Sequence, residues 1–109
     1  MKLPFKFLKV GAQRIAVDLA AAMVRYQSRI LGDSDGTTNQ IRVVDGYHPT
    51  QQLETLVHEI CHIVLIDAGY DQNPEVEASI QRISPRIAAL IVDNPKQLHA
   101  LIDAFQNET

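Results

Sequence analysis

Three residues in one short segment have the types and spacing of a catalytic metal site. His58, Glu59 and His62 form the pattern His-Glu-x-x-His. In a helix, histidines four residues apart lie on one face, about 6 Å apart along the axis, and can bind one Zn²⁺ ion. Glu59 is turned by about 100° from His58, so it would stand beside the ion and act on a zinc-bound water. Because the pattern specifies only three residues, the surrounding elements must decide whether it has this meaning.

The segment that carries the motif is predicted to be a helix. Thr50, after Pro49, is predicted as the N-cap and Gly69 as the C′ residue, so the helix covers 50–68. One apolar stripe runs along it, formed by Leu53, Val57, Ile60, Val64 and Ala68. Beyond the motif the helix is apolar nearly all round, which is typical of a helix at the centre of a domain. Buried histidines and glutamates need partners, and a metal ion would be one.

A third zinc ligand is expected from a second helix. Asn73-Pro74 predicts the start of a helix that returns beside the first, and its first turn holds Glu75 and Glu77. The apolar stripe of this helix consists of Val76, Ile80, Ile83, Ile87 and Leu90, and the first four define the face expected to meet the first helix. Glu77 lies somewhat nearer to that face than Glu75, so we favour Glu77 and leave Glu75 open. The competing interpretation is that both carboxylates only favour the positive N-terminus of the helix.

The N-terminal part of the chain is predicted to form a small sheet. Residues 5–18 have the pattern of two strands around a Gly11-Ala12-Gln13 turn, and 41–44 that of a short strand. The segment 32–40 has turn composition and is interpreted as a solvated loop. The alanine-rich segment 19–27 is predicted to be helical, with one longer helix from 12 to 30 as the alternative.

The C-terminal part is predicted to be helical. Pro85 should kink the second helix or split it near Ser84. Asn94-Pro95 predicts the start of a last helix. Its inward-facing residues are expected to be Leu98, Leu101, Ile102 and Phe105. The predicted fold is α+β, a single domain over residues 1–109, with a small N-terminal antiparallel sheet packed on the HExxH helix and the following helices.

Three further side chains near the motif are interpreted as structural. Cys61 points about 80–100° away from either histidine, and a small buried apolar side chain is the favoured interpretation. Tyr47 and His48 precede the helix and could donate hydrogen bonds to a developing oxyanion. A turn with a capping role is the favoured interpretation for both residues.

Composition and charge narrow the classes of protein. The 109 residues are 46% apolar and 21% charged, as expected for one folded domain. The net charge of −3 offers no general electrostatic reason to bind nucleic acid or acidic membranes. The single cysteine excludes an intrachain disulfide, and no apolar run has the length of a signal peptide or a membrane span. We therefore expect a cytoplasmic protein.

The chain resembles the small phage-type zinc metallopeptidase-like proteins, a minimal relative of the gluzincins. The resemblance covers the Lys9-Val10-Gly11 to Val17 hairpin, Leu31-Gly32 with the loop and Ile41-Arg42-Val43, Thr55 to His62, the glutamate-bearing helix and Asp93-Asn94-Pro95. It implies a small sheet packed on helices with one zinc per chain. The implied ligands are His58, His62 and Glu77, with Glu59 as general base. Pro85 departs from the family, in which the helix more usually continues.

Two functions from different classes are consistent with these features. The first is a phage- or prophage-encoded zinc peptidase, which hydrolyses peptide bonds with a zinc-activated water and Glu59 as general base. The second is a non-catalytic, zinc-stabilised protein-binding module on the same scaffold. An intact Glu59 favours the enzyme, because a purely structural site has no use for a base beside the metal. A third interpretation is a chance motif in an α+β domain without metal.

Overall fold

A computed structural model of the chain describes residues 3–20, 23–25, 28–30, 32–35, 39–45 and 47–108. Within these ranges the strands are β1 (Phe7–Val10), β2 (Gln13–Ala20), β3 (Met23–Arg25), β4 (Ser28–Ile30), β5 (Gly32–Asp35) and β6 (Gln40–Val44). The helices that follow are α1 (Pro49–Asp67), α2 (Pro74–Asp93) and α3 (Pro95–Glu108). The predicted α+β class is confirmed. None of the described helices is long and apolar enough to cross a membrane.

The main sheet has the strand order β1-β2-β6-β5, and β3 and β4 form a separate two-stranded sheet. Strand β2 is antiparallel to β1, and β5 is antiparallel to β6, but β2 and β6 run parallel. The predicted antiparallel sheet is therefore a mixed sheet. The reason is the connection between β2 and β6, which is long enough to hold three strands and to return the chain in the original direction.

The hairpin predicted for residues 5–18 is confirmed, and Gly11 adopts a φ of +59° at its turn. The helix predicted for 19–27, and the longer one from 12 to 30, are wrong where the structure describes them. Strand β2 extends to Ala20, and Met23–Arg25 is a strand, while residues 21, 22, 26 and 27 lie outside the described residues. Ala20 is paired with Val44 of β6. This long-range pairing overrides the local helix preference of alanine.

The segment predicted as a loop at 32–40 contains strand β5 in its first four residues, and residues 36–38 lie outside the described ranges. The strand predicted for 41–44 is confirmed within β6. Gly32 lies against α1, since a Cβ atom on it would stand 2.6 Å from Thr55 Cγ2. The absence of a side chain at Gly32 therefore lets the edge strand approach α1 one turn before His58.

The core lies between the main sheet and α1. It is formed by Val10, Ile15, Val17, Ile41 and Val43 of the sheet with Leu56 and Ile63 of α1. The buried residues of α1 are Gln52, Leu56, Val57, Glu59 and Ile63. The predicted stripe is therefore correct at Val57 and wrong at Val64, which is 46% exposed. Hydrophobic periodicity could not detect the true face because two of its positions are polar, and the Gln52 amide donates to the Val44 carbonyl at 3.2 Å.

The ends of α1 are determined by local hydrogen bonds. His48, rather than Thr50, is the N-cap, because its Nδ1 accepts the Thr50 N–H at 3.2 Å. The capping role proposed for His48 is confirmed, and the N-cap prediction for Thr50 is wrong because the helix already begins at Pro49. Gly69 is the predicted C′ residue, with a φ of +91°. The N–H groups of Gly69 and Tyr70 donate to the helix carbonyls in a Schellman arrangement.

Helix α2 begins as predicted and continues past Pro85 without a break. The Asn73 side chain accepts the Val76 N–H at 2.9 Å, which caps its first turn. The predicted split near Ser84 is wrong, since the Ser84 hydroxyl donates within the helix to the Ile80 carbonyl. The buried face of α2 consists of Ile80, Ser84 and Ala88. The predicted stripe is correct at the buried Ile80 and wrong at Ile83, Ile87 and Leu90, which are exposed.

Helix α3 begins at Pro95 as predicted, but it buries none of its residues. Leu98 is half-buried, and Leu101, Ile102 and Phe105 are exposed, so the prediction that they face inward is wrong. The amphipathic pattern was recognised correctly, but α3 makes few contacts with α2, and its large apolar side chains are exposed. Amphipathicity indicates that a helix has an apolar face and does not indicate what covers it.

Candidate metal centre

Three side chains from two helices converge at the surface of α1. His58 Nε2 lies 3.0 Å from Glu77 Oε1, and His62 Nε2 lies 2.6 Å from Glu77 Oε2. The two imidazole rings are 5.0 Å apart between centroids. One ligand atom from each of the three residues lies within 4.8 Å of the others. Both histidines therefore direct the same ring nitrogen at one carboxylate.

The local folding of the chain explains this convergence. His58 and His62 are one turn apart on α1, next to the face that packs on the sheet. The turn at Gly69 ends α1, and the Asn73 cap starts α2 four residues later, so α2 returns along α1. Glu77 lies in the first turn of α2 and on the side of the buried Ile80. The turn at Gly69 and the Asn73 cap therefore place the Glu77 carboxylate of α2 beside the two imidazole rings of α1.

Two glutamines form hydrogen bonds with two of the converging side chains. His62 Nδ1 lies 2.5 Å from Gln72 Oε1, and since that amide oxygen accepts, the ring nitrogen donates. This leaves Nε2, the atom that faces Glu77, as the ring nitrogen available to a metal ion. Gln81 Nε2 donates to Glu77 Oε1 at 3.3 Å from one turn further along α2. Each glutamine therefore restrains the orientation of a converging side chain.

Burial controls the charge of His58. Desolvation lowers the pKa of His58 below its ordinary value of 6.5, and it outweighs the opposing attraction of the Glu77 carboxylate. The neighbouring His62 lowers the pKa further. His58 is therefore neutral at pH 7, and a neutral imidazole is the form that binds a metal ion.

The three side chains open into a cleft of about 690 Å³ between β5, α1 and α2. Its lining includes the carboxylates of Asp33, Glu54, Glu59 and Glu77, and the described lining residues include no lysine or arginine. The charge of Asp33 is balanced by Arg42, which forms a bidentate ion pair with it. The remaining negative charge makes the cleft favourable for a cation.

Glu59 lines the same cleft but belongs to the buried face of α1, where it is 6% exposed. Its carboxylate thus lies at the junction between the core and the cleft, on the neighbouring side of the helix from the two histidines. This arrangement agrees with the angular separation expected from the sequence. A carboxylate held there could exchange a proton with a molecule bound in the cleft.

The donor set fits a zinc ion. Two imidazole nitrogens and one carboxylate oxygen are the ligands of many catalytic zinc sites, and tetrahedral bonds of about 2.1 Å hold ligand atoms about 3.4 Å apart. The ligand atoms lie within 4.8 Å of one another, and the separations of 3.0 and 2.6 Å are shorter than the zinc-bound value, so the side chains would have to move apart around an ion. An open side towards the cleft leaves room for a fourth, non-protein ligand.

The structure brings together four of the residues singled out in the sequence and leaves out one. His58, His62 and Glu77 are in mutual contact, and Glu59 lines their cleft. Glu75 is exposed and has no place in the cluster. The role of His58, His62 and Glu77 as metal ligands stays a prediction. Cys61 is half-buried, and burial raises the pKa of its thiol, as expected for a small packing residue rather than a nucleophile.

Two residues of the site were missed in the sequence. Gln72 lies in the turn between α1 and α2, and nothing in its local sequence identifies it as a partner of His62. Gln81 carried a weak signal, since a glutamine four residues after a glutamate lies on the same helix face.

Comparison of the chain with family models, with curated proteins and with solved structures finds no match.

Proposed function

We propose that the chain is a zinc-dependent peptidase that binds one zinc ion through His58, His62 and Glu77. The observation that carries this proposal is the convergence of both Nε2 atoms on one carboxylate within an open cleft that Glu59 also lines. A purely structural zinc site is usually closed by four protein ligands. A three-ligand cluster that faces a cleft favours a catalytic role.

The proposed roles of the side chains follow from their positions. A bound zinc ion would lower the pKa of a coordinated water towards about 7 and polarise a peptide carbonyl. Glu59 would take a proton from the water as its oxygen bonds to the carbonyl carbon. It would then pass that proton to the leaving amine as the C–N bond breaks, so the products are a carboxylic acid and an amine. Gln72 and Gln81 would keep the ligands oriented.

The neighbouring strand supports a peptide as the substrate. Strand β5 lines the cleft and stands at the edge of the main sheet, where the described residues pair it only with β6. The backbone groups on the outer side of an edge strand can bind an extended peptide by adding it as a further strand. Such a peptide would pass close to His58 and Glu59.

The phage origin and the cytoplasmic location that the sequence led us to expect stay proposals.

A metal analysis tests the binding half of the proposal. Protein purified without added zinc should contain about one zinc per chain by elemental analysis. His58→Ala and His62→Ala should each lose the metal while the circular dichroism spectrum keeps its helical signal. Full zinc occupancy in both variants would contradict the site.

A single substitution tests the catalytic half. Glu59→Gln should keep the zinc and the fold but reduce peptide cleavage about 10²–10⁴-fold, because glutamine cannot accept the proton. Cleavage of a mixed peptide library, followed by mass spectrometry, is a suitable assay because it requires no known substrate. Glu54→Gln is the matched control, since it removes the same charge from the same helix and cleft. Equal cleavage by wild type and Glu59→Gln would show that Glu59 is not the base.

The burial of Glu59 favours one alternative, a non-catalytic zinc module that binds another protein. At 6% exposure the carboxylate could serve the packing of α1 rather than proton transfer. Such a module would hold zinc and cleave no peptide in either form. The library assay on the zinc-loaded wild type therefore separates the two functions.

A further inference from the structure

The C-terminal helices present a surface of large apolar side chains that are substantially exposed. We call it the C-terminal apolar face, and it consists of Ile83, Ile87, Leu90 and Ile91 of α2 with Leu101, Ile102 and Phe105 of α3. These side chains are between 36% and 69% exposed. A 14-residue helix that buries none of its residues has little stability of its own in water. A partner that covers this face would supply the missing packing.

The face is separate from the candidate metal centre. Glu77 lies on the side of α2 that carries the buried Ile80, Ser84 and Ala88. Ile83 and Leu90 are turned by about 120–140° from Glu77 at 100° per residue. A molecule bound to the C-terminal apolar face would therefore leave the metal centre and its cleft accessible.

The spacing of the exposed residues indicates a helical partner. Ile83, Ile87 and Leu90 follow one another at intervals of four and three residues. This alternation places apolar side chains along one seam, as in helices that pack side by side in coiled coils. The seam continues along α2 outside the contact with α1, so another helix could pack along it.

The charges beside the seam select a second copy of the same chain as that partner. Residues 78–92 contain Arg82 and Arg86 and no acidic residue, a charge of +2. Residues 93–108 contain three acidic residues and one lysine, a charge of −2 with histidine neutral. With the two α2 helices antiparallel, the basic segment of each copy would approach the end of the other α2, where Asp93 lies. A parallel pair would bring like charges together.

One pair of residues gives this orientation a specific contact. Arg86 and Asp93 are seven residues apart, so they lie on the same flank of the seam. In an antiparallel helix pair, the flank that carries Arg86 and Asp93 on one helix faces the same flank of the other helix. Arg86 of each copy would therefore meet Asp93 of the other copy, which gives two equivalent ion pairs related by a twofold axis.

We propose that the chain forms a homodimer in which the C-terminal apolar faces of two copies pack against each other, with their α2 helices antiparallel. The seven side chains, each about half exposed, offer on the order of 600 Å² per copy, close to the roughly 800 Å² that each partner buries in a standard interface. The polar rim around the seam would supply the remainder. The dimer is independent of zinc, and it leaves both metal centres open.

Sedimentation analysis over a range of protein concentrations tests the proposal. The wild type should change from one chain of 12.2 kDa to twice that mass between low and high micromolar concentration. Leu90→Glu should raise the dissociation constant at least about a hundredfold, because each dimer would bury two unpaired carboxylates. Ala89→Glu is the matched control, since Ala89 is exposed beside Leu90 but turned away from the seam, and it should dimerise like the wild type.

A charge exchange tests the orientation without relying on an apolar residue. Arg86→Asp and Asp93→Arg should each weaken the dimer about tenfold, since each replaces two attractions by two repulsions. The double variant should regain wild-type affinity. A monomeric wild type at every concentration, or a double variant no tighter than the single ones, would overturn the proposal. Zinc content should stay the same in all variants, which separates this result from the test of the metal centre.

Discussion

Replacing Glu77 by glutamine should weaken zinc binding far more than the same change at Glu75. Glu77 reaches both histidines, at 3.0 Å from His58 Nε2 and 2.6 Å from His62 Nε2, whereas Glu75 is exposed and outside the cluster. Structural zinc sites with four protein ligands bind with about 10–16 kcal/mol, which is about 3 kcal/mol for each ligand. Loss of the Glu77 carboxylate should therefore raise the dissociation constant about 100-fold.

The same loss should appear in the thermal unfolding of the zinc-loaded protein. At a free zinc concentration 100 times the dissociation constant, binding stabilises the folded state by about 2.7 kcal/mol. After a 100-fold loss of affinity, the same zinc concentration contributes about 0.4 kcal/mol. The difference of about 2 kcal/mol corresponds to a fall in Tm of about 10 °C for a domain of about 100 residues.

Isothermal titration with zinc and thermal unfolding with and without zinc measure these two quantities. Glu75→Gln is a close control because both residues stand in the first turn of α2, where each carboxylate interacts favourably with the helix N-terminus. Without zinc, Glu77→Gln should lose somewhat more stability than Glu75→Gln, because it also changes the contacts with His58 and His62, and zinc should widen this difference. A larger loss of zinc affinity in Glu75→Gln, or wild-type affinity in Glu77→Gln, would refute the proposed ligand set.

The remaining predictions concern the support and the protonation of the site. Gln72→Ala should reduce zinc affinity about 10–100-fold, because the His62 ring loses the hydrogen bond that orients it. Gln72→Glu should restore the affinity, because a carboxylate can accept the same hydrogen bond. Equal zinc affinities in the wild type and both variants would show that Gln72 does not orient the ring. A chelator should lower Tm, and an unchanged Tm after confirmed zinc removal would contradict a supporting role of the metal. In the chelated protein, the free energy of unfolding should fall as pH drops below about 6.5, because His58 protonates in the unfolded chain before it does so in the folded one. A His58→Gln variant should lose part of this pH dependence, and chemical denaturation at several pH values measures it.

Much of the site was predictable because its signals are local. The four-residue spacing of His58 and His62 defines one helix face whatever the rest of the chain does. The Asn73-Pro74 start and the glycine at 69 bound the two helices, since capping requires particular side chains at particular positions. Glu77 was favoured over Glu75 from a stripe in which Ile80 is buried and Ile83 and Ile87 are exposed.

Errors occurred where distant parts of the chain compete with local preference. The alanines near residue 20 favour a helix, but pairing between β2 and β6 places Ala20 in a strand. The buried face of α1 was predicted only in part, because it contains Gln52 and Glu59, which a search for apolar residues passes over. The exposed stripes of α2 and α3 were predicted to be inside, because an apolar pattern does not identify its own partner.

The sequence by itself determined the helix that carries His58, Glu59 and His62, its bounds to within a residue or two, and the α+β class. Each of these depends on hydrogen bonds and side-chain spacing within a few residues of the chain. Only the tertiary structure decided that Glu77 meets both histidines, that Gln72 contacts His62, and that β5 borders the cleft. These contacts depend on how the turn after α1 directs α2 and how closely Gly32 lets the edge strand approach α1. Such packing is the joint result of the whole chain, and no short segment encodes it.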